Sequence, residues 1–279
     1  MKKLMFTAAV AAAMGAFAIE SANTVGYTTK STPQGKFMIG TVPFETTDGD
    51  MDINKLISGF TPVTIDWSLD EYTLFRNLAA QLQIWNGSNY DTAYYVSNAW
   101  FDDGTEEGDY KEGWCDGDGL LLEDYEFTPG GAYWVKNVPD SNSLTVAGQI
   151  KAASSVNVSC PTSFTLTGNA FPVDIQLNEG TQMTSANITP VAIDWESDDY
   201  TVFRDAATQL QIWNGTVYDT AYYVSNAWYD NGTPDGDYKA GWCDGDGLLW
   251  ENYTIPAGNG FWVKATSGAC TLTFDNPTK

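Results

Sequence analysis

The sequence contains no histidine and only two arginines, Arg76 and Arg204. Without histidine there can be no imidazole base in a catalytic triad and no His-ligated zinc, copper or haem. Basic residues are scarce altogether: 13 Lys plus Arg stand against 36 Asp plus Glu, a formal net charge of −23. Nucleic-acid binding needs clustered cations that displace phosphate counterions, so nucleic acid is excluded as a partner. Beyond residue 18 no apolar run is long enough to span a bilayer of roughly 30 Å, so no membrane span is expected.

The one long apolar stretch lies at the start. Met1-Lys2-Lys3 precedes an Ala-rich run from Leu4 to Phe17, and Ala16-Phe17-Ala18 supplies a small-x-small site. Basic head, short apolar run and small-residue end together predict a secretory signal peptide, residues 1–18. The mature chain is then expected outside the cytoplasm, secreted or at the surface of the cell envelope.

Shifting the chain by 128 residues brings it onto itself. Asp91 to Trp100 recurs unchanged as Asp219 to Trp228, and Gly113 to Leu121 as Gly241 to Leu249. Across residues 61–136 the two copies share 52 of 76 positions without a gap. A period of this length suffices for a domain, unlike a solenoid repeat that folds only against neighbours. Two domains are expected, 19–150 and 151–279, with a seam of small polar residues near Gly148 to Ser155.

The local pattern is β. Gln81-Leu82-Gln83-Ile84-Trp85 alternates strictly, Asn86-Gly87 supplies positive φ for a tight hairpin, and Tyr90 to Val96 returns as its partner. Val63 to Trp67, Tyr133 to Lys136 and Leu144 to Val146 read as further strands. A short helix is expected over Ile53 to Phe60, where Ile53, Leu56, Ile57 and Phe60 share a face behind an Asp52 cap. The expected fold is all-β, two tandem β-sandwich or small-barrel domains.

Thr24-Val25-Gly26-Tyr27, the Trp85-Asn86-Gly87 hairpin, and Pro129-Gly130-Gly131-Ala132-Tyr133-Trp134 followed by Leu144 to Gly148 resemble a repeat module of uncharacterised secreted bacterial proteins. In that module a Gly-Tyr strand opens the unit, a Trp-Asn-Gly hairpin sits in the middle and a Pro-Gly-x-Gly-aromatic strand closes it. The resemblance implies a secreted β module. The second copy departs from it at Ala257-Gly258-Asn259-Gly260 and has no Gly-Tyr opening.

Ten of the eleven tryptophans form matched pairs: 67 with 195, 85 with 213, 100 with 228, 114 with 242 and 134 with 262. Aromatics mostly pack in β interiors, and strand parity separates the exceptions. Trp67 and Trp195 share a face with Val63 and Ile65 or their counterparts, which assigns them to the core. Trp85 and Trp213 share a face with Gln83 and Gln211, and Trp134 and Trp262 with lysines. These four rings and two glutamines are the ligand-binding candidates, because flat aromatics beside amides suit a pyranose with its apolar C–H face and polar rim.

Acids and glycines alternate in one loop of each copy: Asp102, Asp109, Asp116, Asp118 and Glu123, matched by Asp230, Asp237, Asp244, Asp246 and Glu251. Hard carboxylates on a flexible backbone make these the calcium-ligand candidates, although the spacing does not meet the twelve-residue EF-hand rule. Four cysteines in an exported chain allow three disulfide pairings. Cys160 and Cys270 have no counterparts in the first copy and lie near the first and last strands of one domain, so a Cys160–Cys270 bond is expected. It would stabilise the fold by up to roughly 4 to 5 kcal/mol in the chain-entropy account. Cys115 and Cys243 are expected free and buried, and Arg76 and Arg204 paired with carboxylates such as Asp66 and Asp194.

The functional expectation is a non-catalytic interaction or structural protein, with glycan or other envelope components as partners. A carbohydrate-binding module is the first alternative. A glycoside hydrolase using two carboxylates is the second, though nothing in the spacing sets the separation that such a pair needs.

Overall fold

The computed structural model describes residues 25–105, 107–140, 142–178, 183–233, 236–266 and 268–277. The signal-peptide residues 1–18 lie outside this set. The described chain is all-β, with open sheets packed in a sandwich-like way and no closed barrel.

The first half contributes β1 (Val25–Thr32), β2 (Phe37–Thr41), β3 (Phe44–Glu45), β4 (Ile57–Ser58), β5 (Gln81–Trp85), β6 (Tyr90–Phe101), β7 (Asp109–Cys115), β8 (Ala132–Lys136) and β9 (Asn142–Ile150). Strands β2-β8-β5-β6-β7 form a five-stranded sheet, and β9 carries β1, β3 and β4 in a smaller one. The second half contributes β10 (Ser155–Cys160), β11 (Phe164–Gly168), β12 (Ile175–Gln176), β13 (Met183–Ala186), β14 (Gln209–Trp213), β15 (Tyr218–Tyr229), β16 (Asp237–Cys243), β17 (Thr254–Ile255), β18 (Gly260–Lys264) and β19 (Cys270–Asp275). Its five-stranded sheet runs β11-β18-β14-β15-β16, beside β10-β19-β13 and the pair β12-β17. The long strands β6 and β15 carry register shifts at matched places, Val96/Ala99 and Val224/Ala227.

Alternation explains which face of each sheet is buried. Leu82 and Ile84 point inward from β5, with Ala93 from β6 and Val135 from β8, while Val96, three residues beyond Ala93, joins a second cluster with Ile65 and Phe75. Trp114 is fully buried and meets Phe60 edge-on at 5.4 Å and Tyr95 at 5.1 Å. Asn54 ties this core to the loop behind it: its Oδ1 accepts from the Trp114 backbone N–H at 2.7 Å and its Nδ2 donates to the Leu122 carbonyl. Asn178 accepts from the Trp242 N–H in the same way in the second half.

Three local expectations are corrected. The helix spans only Ile53–Leu56 behind its Asp52 cap, because Ile57–Ser58 leaves to pair with β9 and Gly59 turns at φ +100°. The connection after β5 is a four-residue loop rather than a two-residue turn, since the Asn86 side chain accepts from the N–H groups of Ser88 and Asn89. Val63 to Trp67 is not a strand; only Val63 makes a bridge, to Val96.

The halves meet across their five-stranded sheets. Thr41 N–H donates to the Gly258 carbonyl and Gly168 N–H to the Gly130 carbonyl, both at 3.0 Å, so each half receives the turn that precedes the other's closing strand. Ile39, Ala132 and Leu166 are buried at this contact. At Gly260 an added Cβ would lie 2.6 Å from Ile39 Cγ2 and 2.7 Å from Ala132 Cβ, which explains why glycine opens β18. The expected seam, Gly148 to Ser155, is partly strand, as β9 runs to Ile150 and β10 begins at Ser155. Lys151 between them is buried and donates to the carbonyls of Val42, Phe44 and Ala170, on both sides of the contact.

Two outcomes follow. Gly260→Ala should lower unfolding free energy by about 1 to 3 kcal/mol through overpacking, measured by denaturant titration. Burial brings the Lys151 ammonium down to about 8, only partly opposed by Glu45. Between pH 8 and 10 the unfolded chain then holds a proton on Lys151 that the folded chain has released, so this residue makes stability rise with pH. The difference in stability between the native chain and Lys151→Met should change across that window by about 1 kcal/mol per pH unit.

Candidate functional site

The four tryptophans selected by strand parity come together at the contact between halves. They are half-buried rather than freely exposed, because each half covers the other's outward face. Trp85 meets Trp262 edge-on at 5.4 Å, and Trp134 meets Trp213 at 5.8 Å. Tyr90 and Tyr218 extend the two contacts: Tyr90 lies 5.2 Å from Trp85, and Tyr218 lies 5.1 Å from Trp213. Trp134 Nε1 donates to the Tyr90 hydroxyl at 3.1 Å, and Tyr218 is hydrogen-bonded to Trp262. Burial raises the pKa values of both tyrosines, partly offset by these bonds, so both are neutral hydroxyls at neutral pH. Edge-to-face packing of this kind contributes about 0.5 to 1.5 kcal/mol per pair beyond area burial.

A groove of about 1040 Å³ opens along one side of this stack. Its wall includes Phe37, Met38, Gln83, Tyr90 and Trp134 from the first half and Trp213, Gly215 and Thr216 from the second. Gln83 and Trp134 are cross-strand partners of β5 and β8 and so present an amide and an indole side by side. Phe37 meets Trp134 edge-on at 6.1 Å, with the Lys136 ammonium 5.3 Å from the Phe37 ring. The loop before Phe37 brings Pro33, Gly35 and Lys36 to the rim and is held by Gly35 N–H donating to the Asn137 carbonyl at 2.7 Å. The corresponding loop of the second half, residues 161–163, is one residue shorter. There Gln211 pairs in register with Trp262, and its Nε2 donates to Gln209.

The acidic candidates are dispersed. Asp116 Oδ1 accepts from the N–H groups of Asp118 and Leu120, and Asp244 does the same for Asp246 and Leu248. Asp102 and Asp230 accept from Gly104 and Gly232, and Asp109 and Asp237 from Tyr110 and Tyr238. Asp118 and Asp246 pair with Arg76 and Arg204 at 3.1 and 3.2 Å. Glu123 instead faces a separate cavity with Asp50, Asp52, Glu112, Asp124 and Glu126, while Glu251 lies near Tyr229. Among the described residues no group of three or more His, Cys, Asp or Glu side chains is arranged to hold a metal ion. The carboxylates act locally, as acceptors that shape turns.

The arginine pairing differs from expectation. Each guanidinium reaches forward to the Asp-Gly loop, with Nε donating to the Gly117 or Gly245 carbonyl, rather than back to Asp66 or Asp194. Asp66 instead accepts from Ser68. Trp67 and Trp195 lie on the inner side with Val63 and Ile65 or Val191 and Ile193, as parity indicated, but at the edge of the core: each is half-buried, stacks on Tyr72 or Tyr200 at 5.3 or 5.5 Å, and donates from its indole to the Asn98 or Asn226 carbonyl. The fully buried rings are Trp114 and, nearly so, Trp242.

Cys115 and Cys243 are buried thiols, pushed up to about 12 by burial. Cys160 and Cys270 are directly opposite one another in the β10–β19 ladder and stand as a pair of thiols, not as the expected disulfide. The hydrogen bond with Cys270, together with burial, raises the Cys160 pKa and leaves Cys270 the more acidic partner. Sequence reading missed Tyr90, Tyr218, Phe37 and Met38. The distant rings that meet them are Trp262 for Tyr90 and Trp134 for both Tyr218 and Phe37.

Comparison with protein-family models, with curated proteins and with solved structures finds no match for this chain.

Mild oxidation should join Cys160 to Cys270 and raise the melting temperature, with Cys115 and Cys243 left unmodified. Peptide mapping without reduction checks the pairing; recovery of all four as free thiols after oxidation would refute it.

Proposed function

We propose that the chain is a non-catalytic binding protein of the cell exterior whose inter-half groove takes the flat apolar face of a carbohydrate chain. The observation that carries this reading is the juxtaposition, in one open groove, of Trp134, Trp213 and Tyr90 with the Gln83 amide. Indole and phenol rings supply apolar surface against pyranose C–H groups, and the amide and phenol supply hydrogen bonds at the ring's polar rim. Export rests on the Met1 to Ala18 pattern, and the absence of histidine agrees with binding rather than catalysis.

A glycan array, followed by calorimetry on the best polysaccharide, tests the reading. Gln83→Ala should weaken binding about tenfold, the loss of one well-made hydrogen bond, with the melting temperature unchanged. Trp134→Phe should weaken it further. An array with no glycan bound, or affinities unaffected by both changes, would overturn the proposal.

A further inference from the structure

A second feature of the contact between halves is chemical rather than receptive. Lys30 of β1 is half-buried, and its Nζ donates to two groups: the Ile39 carbonyl of its own half and the Asn259 side-chain Oδ1 of the other, the latter at 2.5 Å. Burial lowers its pKa to about 8, so about a tenth of it is the neutral amine at pH 7 and about half at pH 8.

The two halves differ at this point in both members of the pair at once. Lys30 faces Leu144 across β1–β9, and its counterpart facing Leu272 across β10–β19 is Val158. Asn259 immediately precedes β18, and the residue that immediately precedes β8 is Gly131. Val158 packs against the Gly130 turn, where an added Cβ would lie 2.5 Å from its Cγ2. One crossing is therefore closed by an apolar contact. The other brings together an amine and a carboxamide, two groups that can condense.

We propose that Lys30 and Asn259 form an intramolecular amide cross-link between the two halves. Neutral Nζ attacks Asn259 Cγ, a Cγ–Nζ bond forms, the Cγ–Nδ2 bond breaks, and ammonia leaves. Nζ gives up one proton, which departs on the leaving nitrogen; nothing is oxidised or reduced. The pair lines a cavity of about 170 Å³ together with the fully buried Tyr133 side chain. The ordinary lysine alternative, a hydrogen-bonded ammonium, makes no covalent product and is the outcome to be distinguished.

Mass spectrometry of the purified full chain decides the matter. The folded protein should be lighter than its sequence mass, after any terminal processing, by one ammonia, about 17 Da, and its digest should contain a branched peptide joining Lys30 to Asn259. Asn259 precedes Gly260 and could also lose ammonia by closing on its own backbone, so the branched peptide and the variants carry the test. Lys30→Arg and Asn259→Ala should each abolish the branch, and Lys30→Arg should restore the full mass. A folded chain that yields only linear peptides with unmodified Lys30 after incubation at pH 9 would overturn the proposal, as would a mass deficit that persists in Lys30→Arg.

Discussion

The close approach of β2 and β8 to β11 and β18 is the constraint on which the rest of the molecule depends. Each five-stranded sheet has one face filled by its own core and another bearing tryptophan, glutamine and lysine. A sheet with indoles on its outer face is costly to leave in water, and here the partner half covers them. Small residues permit the approach: Gly260 opposite Ile39 and Ala132, and Gly168 under Thr41. Backbone hydrogen bonds from Thr41 and Gly168 to the opposite turns then fix the register of one half upon the other.

Covering the rings is also what builds the groove. Trp134 and Trp213 come from different halves and meet edge-on, and an edge-on pair leaves part of each ring face uncovered where the contact ends. The longer loop 33–36 adds a wall on that side, and the shorter loop 161–163 adds less on the other. Near-symmetry of the sheets with asymmetry of the loops thus shapes the groove beside Trp134 and Trp213. The same asymmetry separates the Lys30–Asn259 crossing from its apolar counterpart at Val158.

The lysines show how charge is handled in so acidic a chain. Lys151 is buried at the junction and satisfied by three carbonyls, not by carboxylates. Several acids, among them Asp66, Asp102, Asp116, Asp230 and Asp244, cap turns at the surface by accepting from N–H groups two to four residues onward. The two arginines are spent on the Asp-Gly loops, where each binds a backbone carbonyl as well as a carboxylate. A guanidinium has the fork geometry for that dual task and an ammonium does not.

Strand alternation in the sequence was sufficient for the all-β class, for the β5–β6 hairpin and for the sharing of faces by Trp85 with Gln83 and Trp134 with Lys136. Those features depend on neighbours within a few residues, which a period of two exposes directly. Alternation also placed Trp67 beside Val63 and Ile65, while only the fold showed that Asp102, Asp109 and Asp116 of the acidic loop accept from nearby backbone N–H groups. What covered the outward rings, which tyrosines joined them, and that Lys30 would meet Asn259 were decided by tertiary structure alone. The contacts that cross between halves, Trp134–Trp213, Trp85–Trp262 and Lys30–Asn259, link residues some eighty to 229 positions apart, and their distances are set by how two finished sheets pack, a quantity that no local pattern contains.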